Sequence, residues 1–223
     1  MSSYLARRSV QGFDDRPIVY YSVSMPVVKL MKDINLSTES NIKAPDGRKS
    51  DILSALLNRT VDKKRAYPIA KYLLTDDERF IPTIIVACAG GNPKFTTLKL
   101  DLEDPTTKGI AEFDNDIIEE DLKNIGVLSL SRDQKYFVLD GQHRLLGMSY
   151  VHENPRATDQ FGLDQAKLRE WSEGREDLLN DEVNVIFIEN IIKDNENLDY
   201  ESFIKRTRKL FTVLNKHQKA TSK

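Results

Sequence analysis

The sequence predicts an α/β (mixed α+β) domain with a central mixed sheet flanked by helices. Three observations predict it. The short apolar, β-branched runs IPTIIVACA at 81–89 and VNVIFI at 183–188 have the length and composition of buried strands. Other segments space their apolar residues three and four apart, as amphipathic helices do. The stretch YFVLDGQHRLLGMSYV at 136–151 passes from an apolar run through a glycine turn into a helical pattern.

In chain order, residues 1–17 are polar and read as a flexible N-terminus ahead of a single domain spanning 18–223. Ile18 to Met25 is a strand, ended by Pro26. Val27 to Lys32 is a short helix. Pro45-Asp46-Gly47 is a turn. Ser50 or Asp51 caps a helix from Ile52 to Asn58. A further helical segment runs from Val61 to Leu74. It is expected to break at Pro68, with the proline opening a new helix. Ile81 to Ala89 should be a central strand, and Gly90-Gly91-Asn92-Pro93 should turn it into Phe95 to Leu102 as a hairpin. Ile125 to Ser131 and Lys135 to Leu139 should form a second hairpin, which delivers Asp140 to the rim of the sheet. The next helix packs through Leu145 and Met148. Gln165 to Ser172 is helical, with Trp171 as a packing anchor. After the strand at 183–188, Asp199 caps a last helix. Phe203, Leu210, Phe211 and Leu214 lie on one of its faces, and Lys205, Arg206, Arg208 and Lys209 on another.

The chain has 223 residues, 39% hydrophobic and 30% charged, enough apolar content for a core. The net charge of −2 is unevenly spread. Residues 101–121 carry nine Asp or Glu against one Lys, a surface that repels nucleic acid. Acids also outnumber bases over 155–182. Glu119-Glu120-Asp121 admits a metal reading, but adjacent residues do not share a helix face, so solvated side chains are expected. From Lys205 to Lys223 there are seven Lys or Arg, Lys216 and Lys219 among them, and no acid. The natural partner of that segment is phosphate, and DNA is the candidate polyanion. Lys63-Lys64-Arg65 is a second basic cluster.

The single cysteine, Cys88, excludes an internal disulfide framework, and its apolar run marks it as a buried thiol. His143, His152 and His217 have no zinc-type spacing. No apolar run is long enough to span a bilayer, and the N-terminus has no signal-peptide core, so a cytoplasmic location is expected.

The chemistry concentrates at Asp140 to Arg144. Helix N-termini present unpaired N–H groups and partial positive charge. Gly141 allows a positive φ or the close approach of a ligand. Arg144 can grip a phosphate with two hydrogen bonds. His143 can donate to the same anion or transfer a proton. Asp140 can hold a metal, orient Arg144 or accept a proton, and Gln142 can bond a base, a phosphate or water. The plain alternative is a turn with solvated polar residues. No Walker A pattern is present, so an ordinary P-loop ATPase is excluded.

LDGQHR at 139–144, with RAYPIAKYLLTDDERFIPTIIVACAGG at 65–91 and RKLFTVLNKHQKATSK at 208–223, resembles the DGQHR-domain family. The best-known members of that family are similar to the DNA sulfur modification protein DndB. The resemblance implies a ParB/sulfiredoxin-like fold, in which a Gly-x-His-Arg loop holds nucleotide phosphates at a helix start. Gly141-Gln142-His143-Arg144 fits that loop. Sulfiredoxin-type chemistry would want a cysteine where Gln142 stands, and is not expected. The resemblance implies that Arg144 neutralises phosphate charge and Gly141 gives close approach. His143 and Gln142 would orient the ligand, while Asp140 would hold a metal-bound phosphate or fix Arg144. Lys64 or Arg65 would face the loop from an upstream helix.

The implied function is a DndB-like DNA-binding, regulatory component of a bacterial phosphorothioate defence system. Its implied ligands are DNA and a nucleoside triphosphate with Mg²⁺. Its implied partners are other DNA-modification or restriction proteins and further copies of itself. A second reading is a nucleotide hydrolase or nuclease, with Asp140, His143 and Arg144 catalytic and Asp140 on the metal. A third is a non-catalytic interaction module whose acidic segments bind a basic partner. Longer family members continue with more helices, leaving room for a helical extension beyond Lys223.

Overall fold

A computed structural model describes residues 2–12, 17–33, 63–89, 93–98, 122–131, 134–152, 165–173, 175–189 and 200–218. The strands are β1 (Ser2–Gln11), β2 (Ile18–Pro26), β3 (Ile84–Ala89), β4 (Lys94–Thr97), β5 (Ile125–Leu130), β6 (Lys135–Asp140) and β7 (Glu182–Ile188). The helices are α1 (Val27–Asp33), α2 (Lys63–Thr75), α3 (Gln142–His152), α4 (Gln165–Ser172) and α5 (Tyr200–Gln218), with a 3₁₀ turn at Glu176–Asn180. The expected helix at 52–58, the acidic segment 101–121, Asp199 and Lys219 lie outside the described residues.

The seven strands form one mixed sheet in the order β4-β5-β1-β2-β7-β3-β6. β3 and β7 are parallel, and the other neighbours are antiparallel. Strand alternation divides the core between the two faces. Tyr21, Val23, Met25, Ile84, Val86, Tyr136, Val138, Val183, Val185 and Phe187 point to one face. There they meet Leu30 of α1, Ala70, Leu73 and Leu74 of α2, and Leu145 and Met148 of α3. Ala87, Phe137, Leu139 and Ile188 point to the other face, where Ile204, Leu210 and Leu214 of α5 pack. Burying a Leu or Phe side chain is worth about 1.5–3 kcal/mol, so these contacts seat the helices. Trp171 packs at the margin of the first cluster, with its ring 5.3 Å from that of Tyr67.

Several expectations are corrected. Residues 2–11 are not a flexible terminus but a strand held between β2 and β5. Its pattern is faint because Tyr4 and Ala6 face the core, while Leu5, on the other face, is 66% exposed. Among the described residues neither expected hairpin pairs: β3 pairs with β6 and β7, whereas β4 and β5 pair together at the far edge. β3 therefore lies next to an edge strand rather than at the centre. α2 runs through Pro68 unbroken. At β5, Gly126 permits a crossing that no side chain would. A Cβ there would lie 2.4 Å from the Thr96 carbonyl oxygen and 2.6 Å from the Phe95 ring.

Candidate functional site

Asp140 is the last residue of β6, the edge strand. Val86 pairs with Val138 and Ile85 with Asp140, so Leu139 is an extra residue in β6. A bulge of this kind bends the strand and re-aims its last residues. Gly141 comes next, at φ +95°, a conformation open chiefly to glycine. Its carbonyl accepts the Leu145 N–H at 2.8 Å, the first bond of α3. Gln142, His143 and Arg144 thus make up the first turn of the helix, where the dipole is positive.

Arg144 folds back over the glycine. Its Nη2 donates to Asp140 Oδ2 at 2.9 Å and to the Thr83 carbonyl at 3.0 Å. A Cβ on Gly141 would lie 3.1 Å from that Nη2 and 3.1 Å from Ile84 Cγ1. Gly141 therefore makes room for a guanidinium as well as a turn. The Arg144 Nε is buried without a hydrogen-bond partner. The side chains of Arg144 and Asp140 keep 22% and 20% of their exposure. Of the roles open to Asp140, orienting Arg144 is the one seen. Gln142 turns inward, its Nε2 donating to the Val138 carbonyl at 2.9 Å, which leaves its side chain pinned to the strand end. His143 is half-buried in the first turn of α3.

Lys64 and Arg65 lie in the first turn of α2, which packs on α3; their side chains are outside the described residues. On α5, Lys205, Arg208 and Lys209 are exposed. Arg206 instead turns back to donate to the Pro17 carbonyl, and burial lowers its pKa. It therefore tethers the helix to the chain entering β2. Lys216 lies near the end of α5, its side chain outside the described residues. α5 packs against β6 from the opposite face to α3, so the loop and the basic helix share one edge strand.

Next to the loop is a network that sequence reasoning missed. Arg79, with 9% of its side chain exposed, donates from Nε to Asp181 Oδ2 at 2.6 Å and from Nη2 to Asp177 Oδ2 at 2.7 Å. Those bonds raise the Arg79 pKa and lower that of Asp177. Arg175 Nη1 meets Asp77 Oδ1 at 3.3 Å. Thr83 ties the loop to β7: its carbonyl receives Arg144 and its Oγ1 receives Asn184 Nδ2 at 3.3 Å. The sequence carries no signal for a backbone carbonyl 61 positions away from Arg144.

The opposite end of the sheet holds a different acid. Glu189 follows β7 and is 5% exposed. Its Oε1 accepts the Tyr21 hydroxyl, and its Oε2 is buried without a partner. Burial raises the Glu189 pKa against the lowering effects of the Tyr21 bond and of Arg8. Burial and Glu189 together raise the Tyr21 pKa. The same causes, burial first, raise that of the Cys88 thiol, which is buried as expected.

Among the described residues, no three His, Cys, Asp or Glu side chains converge as a metal site. Among those residues, no helix is long and apolar enough to cross a membrane. A family model described as DndB, DNA-sulfur modification-associated, matches residues 16–223. No curated protein and no solved structure matches the chain.

Proposed function

The chain belongs to the DndB family, DNA-sulfur modification-associated, and we propose that it is a regulatory component of a DNA phosphorothioate system whose Asp140–Arg144 loop binds a phosphate group. The observation that carries this reading is the Asp140–Gly141–Arg144 cradle. A positive-φ glycine opens the helix N-terminus, and a guanidinium held by Asp140 and the Thr83 carbonyl lies over it. A helix N-terminus, its dipole and a fixed arginine all favour an anion. The phosphate belongs to a nucleotide or to a DNA strand. Lys205, Arg208 and Lys209 on the exposed side of α5 supply a sequence-independent contact to the DNA backbone. Other proteins of the modification system are its partners.

The test is a thermal-shift panel of ATP, GTP, CTP and a short DNA duplex, each with and without Mg²⁺. Wild type and Arg144→Ala are compared. A ligand that binds the folded state alone must raise Tm. A shift in wild type that vanishes in Arg144→Ala supports the loop. A well-folded wild type with no shift for any ligand sinks it.

A further inference from the structure

The Arg79–Arg175 network borders a cavity of about 480 Å³, lined by Asp77, Arg79, Phe80, Arg175, Asp177 and Glu182 among others. Pockets for small ligands run from about 300 to 1,000 Å³, so a base fits. The cavity opens at the same end of the sheet as the loop, where β3 and β7 begin and β6 ends. From Phe80 to Thr83, whose carbonyl holds Arg144, is three residues of chain, at most roughly 11 Å. That separation is of the order of a nucleotide's length.

Resting on the phosphate reading of the loop, we propose that this cavity receives a guanine base whose attached phosphate lies at Gly141 and Arg144. Three features of the cavity select that chemistry. The first is a stacking surface. The Phe80 ring is 72% exposed, yet its backbone is pinned, with its N–H donating to the Tyr72 hydroxyl at 2.8 Å. Bases stack on such rings whatever their identity.

The second is a wall of acceptors. Four carboxylates line the cavity against two guanidiniums, and the guanidiniums are already engaged by Asp77, Asp177 and Asp181. Asp77 keeps 94% of its side-chain exposure. Glu182 is also exposed and receives one bond, from Ser24 Oγ at 2.8 Å. Guanine presents two adjacent donors, N1–H and N2–H, to one carboxylate. Adenine and cytosine present an amino group beside an acceptor nitrogen, and uracil a single N–H.

The third is a guanidinium on the wall, that of Arg175, whose side chain keeps 23% of its exposure. Its Nη1 lies 3.3 Å from Asp77 Oδ1, a long contact to an exposed carboxylate that an incoming carbonyl can share. Arginine N–H groups pair with guanine O6. The excess negative charge also fixes the orientation of the nucleotide. The cavity repels phosphate and the helix N-terminus attracts it.

Both GTP and a guanine within single-stranded DNA carry this chemistry. The experiment is calorimetric titration of GTP, ATP, CTP, tripolyphosphate, guanosine and a five-nucleotide strand with one central guanine. Wild type, Phe80→Ala and Arg144→Ala are compared. Phe80 is exposed, so its removal leaves the fold intact. GTP should bind more tightly than ATP, CTP and tripolyphosphate. Phe80→Ala should weaken GTP roughly ten-fold and leave tripolyphosphate unchanged. Tighter binding of the strand than of GTP assigns the site to DNA, and the reverse order assigns it to the free nucleotide.

Guanosine, which lacks phosphate, separates the cavity from the loop. Guanosine binding that survives Arg144→Ala and disappears in Phe80→Ala supports the cavity even if tripolyphosphate fails to bind. Tripolyphosphate binding with no preference among the bases overturns the cavity and leaves the loop standing. Equal binding of GTP, ATP and CTP that Phe80→Ala does not change overturns it as well.

Discussion

The two ends of the sheet treat a carboxylate in opposite ways. At the loop end, Asp140 keeps a fifth of its exposure and faces a guanidinium 2.9 Å away. At the other end, Glu189 has lost nearly all contact with water and has a phenol on one oxygen and nothing on the other. The first arrangement leaves a charged pair at the surface, able to rearrange around an anion. The second favours the protonated acid, because an isolated buried carboxylate is costly. Water is thus kept beside the carboxylate at the loop end and withdrawn from the one that ties β2 to β7.

The largest expected effect lies at the buried end. Tyr21→Phe removes the hydrogen bond that Glu189 Oε1 accepts and should cost about 2–3 kcal/mol in denaturant unfolding, the penalty for an orphaned buried acceptor. A change below about 0.5 kcal/mol, the level typical of surface sites, would show Glu189 to be solvated. Next is Gly141→Ala, which forces a side chain into the left-handed region against Arg144 and Ile84. It should cost about 1–2 kcal/mol. The matching change at a loop without strain would be near neutral, so equal stability of wild type and variant would refute the cradle.

Arg144→Ala should cost least, about 1 kcal/mol or below, because its pair with Asp140 is partly solvated. A loss of several kcal/mol would make the motif structural and remove the contrast between the ends. The ends should also differ in pH response. The folded-state pKa of Glu189 is raised by burial, so between the ordinary carboxylate range and that pKa the folded protein holds a proton that the unfolded chain has released. Its stabilising contribution is full below the ordinary carboxylate range and is lost as pH rises through the folded-state pKa. Among the described residues, Arg8, Tyr21 and Cys88 are the ionisable groups that interact with it. Glu189→Gln should flatten that part of the stability profile, followed by urea midpoints across pH. An unchanged slope would place the titration elsewhere.

The loop was legible because its whole argument is local. An apolar run, Asp-Gly and a helical pattern succeed one another, and strand, positive φ and helix appear where those signals stand. β2, β7 and α5 were legible for the same reason, since each carries its buried positions within its own residues. β1 was not, because two small or aromatic residues face the core while Leu5 does not. The pairings were not legible either. Gly90 to Pro93 says that the chain turns, but not that its next strand pairs at the far edge of the sheet. Arg206 looked like its basic neighbours, and nothing in its spacing announced the Pro17 carbonyl. The Arg79 network joins positions about a hundred residues apart, each ordinary in its own surroundings.

β7 sits between β2 and β3, and its preceding residue Asp181 also accepts the Val27 N–H. This has a consequence for the order of events at the ribosome. When synthesis reaches Val151, every residue of the loop motif has been made. The strand that joins its half of the sheet to the other half has not. β3 then lacks its parallel neighbour, and Arg79 lacks both of its carboxylates. Such long-range closures come late and slowly. The nascent chain should therefore carry the motif for some time before it has a site, and ligand should not hasten its folding until Ile188 has emerged.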